Sequence, residues 1–171
     1  RLVDGLAKAA LARGVQIFEG SPVTALNDTP EGLRLTTAHG TVQARQAILA
    51  TNAAVPLLKR LRAAIIPIWD YTLLSEPLSD DLLAAIGWQG RYGIADSGNQ
   101  FHYFRKTADN RILWGGYDAI YHYNSGRAAH LHDRTDSYAR IERNFDATFP
   151  ALNGIGFTHR WGGMIDTSAR L

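Results

Sequence analysis

The sequence contains no cysteine. That excludes a disulfide framework, a Cys-ligated zinc or iron–sulfur site, and any cofactor tethered through cysteine within this span. No apolar run approaches the roughly 18 residues that a membrane-spanning helix requires. No block rich in Lys or Arg occurs either: 18 basic residues stand against 16 acidic ones, for a formal charge of +2. Nucleic acid and anionic membrane are therefore poor candidates as partners. Neither G-x-G-x-x-G nor G-x-x-x-x-G-K-[ST] is present, so no complete phosphate-cradling loop is encoded. Ser75, Ser97 and Ser168 lack a G-x-S-x-G elbow, which leaves a hydrolase triad without support. His130-x-His132 with Asp133 has no second ligand pair at a recognised spacing, so no metal site is expected. There is no internal repeat, initiator Met or signal peptide. Arg1-Leu2-Val3-Asp4 already lies inside a helical pattern and Thr167–Leu171 is not tail-like, so both ends read as interior positions of a longer chain.

What is present is ordinary globular composition. The 171 residues, 46% apolar and 20% charged, suffice for one domain or two small ones. Leu2, Leu6, Ala9, Ala10 and Arg13 follow helical spacing, with Gly14 placed to close the helix. Val15–Phe18 reads as a strand. Pro22–Asn27, Leu33–Thr37 and Thr41–Ala44 read as three short strands separated by turn chemistry at 28–32 and His39-Gly40. Gln46–Thr51 is apolar without alternation, the pattern of a strand buried on both faces. A helical piece around Val55–Leu61 follows. The composition shift near Pro56–Pro67 marks a candidate domain boundary, and Ile65–Pro77 is a long β-branched and aromatic stretch. A short helix is predicted near Ser79–Ile86 and strands at Gln100–Lys106 and Arg111–Tyr117. A helix capped by Asp133 or Thr135 ends before Pro150, and a last strand runs from about Gly156 to Ile165.

Three clusters carry chemical interest. Thr37, Gly40, Ala44 and Ile48-Leu49-Ala50-Thr51-Asn52 follow T-x-x-G-x-x-x-A-x-x-x-h-h-A-T-N. Such a strand end in small residues lets backbone approach a bulky cofactor. A plain sheet strand entering a turn fits this pattern equally well. In the second cluster, Phe101–Arg105 and Arg111–Asp118, two adjacent glycines interrupt a strong strand, as at a bulge or a close approach. Tyr103 and Arg105 share one strand face and are candidates to line a cavity for a polar or anionic substrate. A surface hairpin with a packed aromatic face is the alternative. The third cluster is His159–Thr167, where Trp161 stands beside Gly162 and Gly163.

Taken together and in this order, the clusters resemble the D-amino-acid-oxidase-like family of FAD-dependent oxidoreductases, which includes glycine and sarcosine oxidases. The resemblance is greatest to its gamma-glutamylputrescine-oxidase-like branch. The residues that carry it are Leu2–Ala7 with Gly14-Val15, Val23, Ile48–Ala53, His102–Arg105 with Asp109–Gly116, Phe149-Pro150 and Arg160–Thr167. The resemblance implies an α/β (α+β) chain. Residues 1–62 would form part of a Rossmann-like FAD-binding domain with a three-stranded meander. Residues 63–155 would form a substrate domain on a mixed or antiparallel sheet, and 156–171 a return strand toward the FAD-binding domain. The N-terminal Gly-rich loop and the C-terminal flavin-closing segment of such proteins would lie outside this span, leaving an internal fragment inactive alone.

By the same likeness FAD is the cofactor. Val23, Ala50, Thr51 and Asn52 would meet its ADP portion, and Trp161, Gly162 and Gly163 its isoalloxazine. Glycine-oxidase-type members carry W-A-G-L-R-P, whose Arg holds the substrate carboxylate. Here Ile165 stands at that position and cannot pair with one. That points to a small-molecule amine, polyamine-derivative-like, with Tyr103 and Arg105 as further substrate-binding candidates. The implied reaction takes a C–N bond to an imine and then an aldehyde, with oxygen or another electron acceptor receiving the electrons. The low polarity of the pocket would help the amine lose its proton. No catalytic residue is assigned, and a cytoplasmic location is expected. An amino-acid oxidase or dehydrogenase of glycine or sarcosine type, with Arg105 holding the carboxylate, is the alternative. A non-catalytic interaction domain on the same fold is a third.

Overall fold

In the computed structural model, which describes residues 2–169, the chain is a mixed α/β structure whose strands all pair antiparallel. It divides into two units, residues 1–50 with 57–59 and residues 51–56 with 60–171.

In the first unit helix α1 spans Leu2–Leu11. Gly14 closes it at φ +81°, where its N–H reaches the Leu11 carbonyl and the Val15 N–H reaches Ala10. Strands β1 (Ala25–Thr29), β2 (Gly32–Thr37) and β3 (Gly40–Ala44) form the expected meander. Leu26, Leu35 and Val42 pair in register and so share a face, while Asn27, Arg34 and Gln43 share the other.

Two expected strands are not formed. Val15–Phe18 and Gln46–Thr51 are irregular, and Ile48, expected to be buried, is 92% exposed. An apolar run becomes a strand only when another strand takes its backbone N–H and C=O groups, and neither segment pairs with one among the described residues. The helix expected over Val55–Leu61 is reduced to one 3₁₀ turn at Lys59–Leu61.

The second unit is built on the 11-residue strand β4 (Ile65–Ser75). Helix α2 (Asp80–Ala85) follows, capped by the Ser79 hydroxyl on the Leu82 N–H. Strands β5 (Gly93–Ala95), β6 (His102–Lys106) and β7 (Ile112–Gly116), helix α3 (Thr135–Thr148) and strand β8 (Phe157–Ser168) complete it. The sheet order is β5-β6-β7-β4-β8, and β8 pairs with β4 over its whole length. Neither Asp133 nor Thr135 caps α3: Arg134 holds the cap position and makes no side-chain cap bond.

Strand alternation gives this sheet two unlike faces. Trp69, Tyr71 and Leu73 of β4 and Ile112 and Trp114 of β7 are buried with Tyr138, Ile141 and Phe145 of α3. Two large buried side chains on this face find partners for their polar ends: the Trp114 indole N–H donates to the Ile141 carbonyl at 2.9 Å and the Tyr71 hydroxyl to the Leu131 carbonyl at 2.8 Å. Residues of opposite parity line the other face, which no helix among the described residues covers in the same way: Ile68, Asp70 and Thr72 of β4, Tyr103 and Arg105 of β6, Gly115 of β7, and Trp161, Gly163 and Ile165 of β8.

Candidate functional site

Register places five of the sequence-derived candidates on that open face. Trp161 stands opposite Thr72, Gly163 opposite Asp70 and Ile165 opposite Ile68 on β8 and β4. Tyr103 stands opposite Gly115, which itself stands opposite Thr72. Gly115 is the reason these side chains meet. A Cβ there would lie 2.7 Å from the Tyr103 hydroxyl and 2.8 Å from Thr72 Oγ1, so the phenol crosses β7 only over a glycine.

Once across, the Tyr103 hydroxyl donates to Asp70 Oδ2 at 2.6 Å and lies 3.1 Å from the Thr72 hydroxyl. Asp70 Oδ1 accepts the Tyr71 N–H at 2.9 Å. Burial raises the Asp70 pKa above its ordinary 3.8, opposed by the hydrogen bond from Tyr103. Burial and the bond to Asp70 push the Tyr103 phenol up to about 12, so it stays a proton donor at neutral pH.

Two hollows adjoin this pair, and Tyr103 lines both. A cleft of about 200 Å³ is walled by Asp70, Phe101, Tyr117 and Ile165. A hollow of about 380 Å³ is walled by Thr72, Arg105, Leu113 and Trp161. The open face thus has an acidic side at Asp70 and a basic side at Arg105. Trp161 is 41% and Ile165 49% exposed, so both offer apolar surface to anything that settles there.

The paired glycines of β8 do different work. A Cβ on Gly162 would meet Tyr71 Cε1 at 2.6 Å and the His132 carbonyl at 2.9 Å, so its missing side chain is required by packing on the covered face. Its carbonyl also lies 2.9 Å from His132 Nδ1. Gly163 has nothing within 4 Å of a Cβ position. Bare backbone on the open face fits the approach of a flat ring system such as a flavin, and of the two glycines Gly163 has this geometry.

The remaining candidates lie elsewhere. Val23 is half-buried just before the meander, and Ala50 is exposed at the end of the first unit. Thr51 and Asn52 belong to the second unit. Asn52 adopts φ +48°, a left-handed conformation that Gly and Asn tolerate best. That accounts for Asn in a motif that usually ends in Gly. Its amide donates to the Met164 carbonyl at 3.2 Å and its Oδ1 accepts the Asp166 N–H at 3.0 Å, which ties the 51–56 turn to β8.

Sequence reasoning missed Asp70 and Thr72. The available signal was one carboxylate inside the otherwise apolar run Ile-Ile-Pro-Ile-Trp-Asp-Tyr, at a position whose parity opposes the buried tryptophan and tyrosine. His102, named with the second cluster, is buried on the covered face. It stacks on Trp114 at 4.3 Å and hydrogen-bonds to Asn144 at 2.9 Å, and burial holds its pKa below the usual value.

The family model described as "DAO: FAD dependent oxidoreductase" matches residues 1–171. The chain is 30% identical over 167 residues to a probable oxidoreductase, OrdL, of Haemophilus influenzae, covering 95% of this chain and 36% of that one. It is 30% identical over 164 residues to the gamma-glutamylputrescine oxidoreductase of Escherichia coli, again covering 95% of this chain and 36% of the relative. The chain therefore spans about a third of the length of these relatives. Among solved structures, glycine oxidase from Bacillus cereus superposes with a TM-score of 0.74 at 15% identity, covering 98% of this chain and 42% of that one. L-proline dehydrogenase from P. horikoshii gives 0.73 at 18%, covering 92% and 41%. At these identities the likeness concerns the fold.

Proposed function

Because this chain belongs to the DAO family of FAD-dependent oxidoreductases, we propose that the full-length protein oxidises a C–N bond of a small amine, polyamine-derivative-like, to an imine that water converts to an aldehyde. FAD, when bound, supplies the two-electron acceptor, and oxygen or another acceptor reoxidises it. The observation that carries the substrate reading is the company Ile165 keeps. The position where glycine-oxidase-type members hold a carboxylate with Arg is an apolar wall here, in a cleft lined by Asp70. A carboxylate there would lose its water without gaining a cation. The E. coli relative named for an amine substrate supports the same direction.

In this reading Trp161 and Gly163 receive the flavin ring, with Gly162 shaping the strand behind them. Val23, Ala50, Thr51 and Asn52 serve the ADP portion. Tyr103 orients the reacting nitrogen: its proton is committed to Asp70 and one lone pair accepts from the Thr72 hydroxyl, which leaves the second lone pair of its oxygen for an amine N–H. Apolar walls of the larger hollow displace water from the reacting carbon, and low polarity there favours the neutral amine that the reaction consumes. Residues 63–155 form the substrate domain and 1–62 contribute to the FAD domain, with 156–171, described to Ala169, as the return strand. The 171-residue span is inactive alone, and the parent protein is cytoplasmic.

Arg105 favours a second reading. It faces the same surface from the other hollow, where it is placed to hold a carboxylate as an amino-acid oxidase requires. One experiment separates the two. Full-length protein loaded with FAD is mixed anaerobically with a gamma-glutamylated diamine, with glycine or with proline. The amine reading predicts loss of flavin absorbance with the diamine derivative only. Bleaching by the amino acids, with KM raised at least tenfold in Arg105→Ala, establishes the second reading instead. A full-length protein that binds no FAD sinks both.

A further inference from the structure

Among the described residues no Lys or Arg forms an ion pair with Asp70. Its carboxylate is held by the Tyr103 hydroxyl and the backbone amides of Tyr71 and Gly116, all neutral donors. The cleft it faces is lined by no Lys, Arg or His. The other carboxylate of the cleft is already satisfied: Asp118 is buried and paired with Arg140 at 2.9 Å. A half-buried carboxylate without a cation, under aromatic walls, is a receptor for an organic cation.

The walls have the matching chemistry. Phe101, Tyr117 and Ile165 line the cleft with Asp70, and all three are partly exposed. Tyr117 sits at φ +71°, a strained conformation for a bulky residue, and its ring is stacked on His102 at 5.2 Å. Such backbone persists where the surroundings over-determine it, and here it holds an aromatic ring in the wall of the cleft.

We propose that this cleft is a subsite for an alkylammonium group, with Asp70 as its counter-ion. A nitrogen seated against a carboxylate is held protonated, and a protonated nitrogen has no lone pair to assist oxidation of its own carbon. The nitrogen at Asp70 is therefore not the one that reacts. The substrate class is an amine with a second cationic nitrogen, the reacting one lying toward Tyr103 and the larger hollow. This rests on the amine-oxidising reading above and adds to it a residue that selects the substrate.

The test compares putrescine with 1,4-butanediol, in which hydroxyls replace both ammonium groups, by calorimetry on the full-length protein with its flavin pre-reduced so that no turnover occurs. The wild type is expected to bind putrescine at least tenfold more tightly. Asp70→Asn, which keeps the shape and removes the charge, with its amide oxygen left to accept the Tyr71 N–H and its NH2 turned to the Tyr103 oxygen, is expected to bring the ratio close to one. If that variant does not fold, Ile165→Arg on the exposed wall replaces it, supplies the missing cation and is expected to remove the preference likewise. Equal affinities in the wild type, or a preference that survives a folded variant, overturn the proposal. Calorimetry reads the ratio whether or not the protein carries FAD, so loss of the oxidoreductase reading and loss of the ammonium subsite are separate outcomes.

Discussion

The two units of this chain use similar apolar residues to opposite effect. Among the described residues the first unit buries none: Leu2, Leu6, Leu11, Ile17, Phe18, Val42 and Ile48 are all exposed. The second sinks Trp69, Tyr71, Leu73, Trp114, Ile141 and Phe145 essentially out of solvent. Both have helical and strand periodicity of the right kind. The difference is that β4 has a strand on each side and α3 against one face, whereas α1 has no buried side chain. Periodicity prepares a face, and only a second layer gives that face its free energy.

Substitutions sharpen this contrast. The largest effect is expected from Trp114→Ala, which empties the centre of the second unit; about 3–5 kcal/mol of stability should be lost in chemical denaturation. Next comes Gly162→Ala, whose new methyl group must displace Tyr71 or the His132 backbone. It should cost about 1–3 kcal/mol, whereas Gly163→Ala, one residue away, should cost little. At the small end, Leu6→Ala in α1 should change the stability of the 171-residue chain by no more than about 0.5 kcal/mol, because no buried contact within it is removed. A large loss there would mean that α1 has a packed partner.

The open face has its own signature in pH. Burial raises the pKa of Asp70 in the folded protein, so folding favours its protonated form. The stability this group contributes is fully present below its unfolded value of 3.8 and is lost as pH rises through the folded value. Asp70→Asn removes the titration. Its stability relative to the wild type should therefore be greatest at neutral pH and decline as pH falls toward 3.8. Urea midpoints measured across that range check the sign.

How much of this was legible in the sequence depended on whether a pattern carried its own partner. The meander was readable because its strands are joined by short turns and pair with each other, so Leu33 and Leu35 against Arg34 and Thr36 already fixed its faces. Helix α3 was readable from Tyr138, Ile141 and Phe145, but its cap was not, since Arg134 makes no side-chain cap bond. Val15–Phe18 and Gln46–Thr51 look like strands for the same reasons as β4, yet the ladder partner that decides the matter is not written in them. Tyr103 and Arg105 were placed on one strand face by alternation, and Trp161 and Ile165 were picked from spacing and family likeness. That they share one face follows from registers across four strands, and Asp70 emerged only with that face, because an aspartate in an apolar run does not announce which way it points.

The two glycines of β8 offer the most direct test of the claim that the open face receives the flavin. Gly163→Leu adds bulk where the structure has space, so stability should hold while the full-length protein loses at least tenfold in FAD affinity or shows a shifted flavin spectrum. Unchanged FAD affinity and an unchanged spectrum in a folded Gly163→Leu protein would contradict the account.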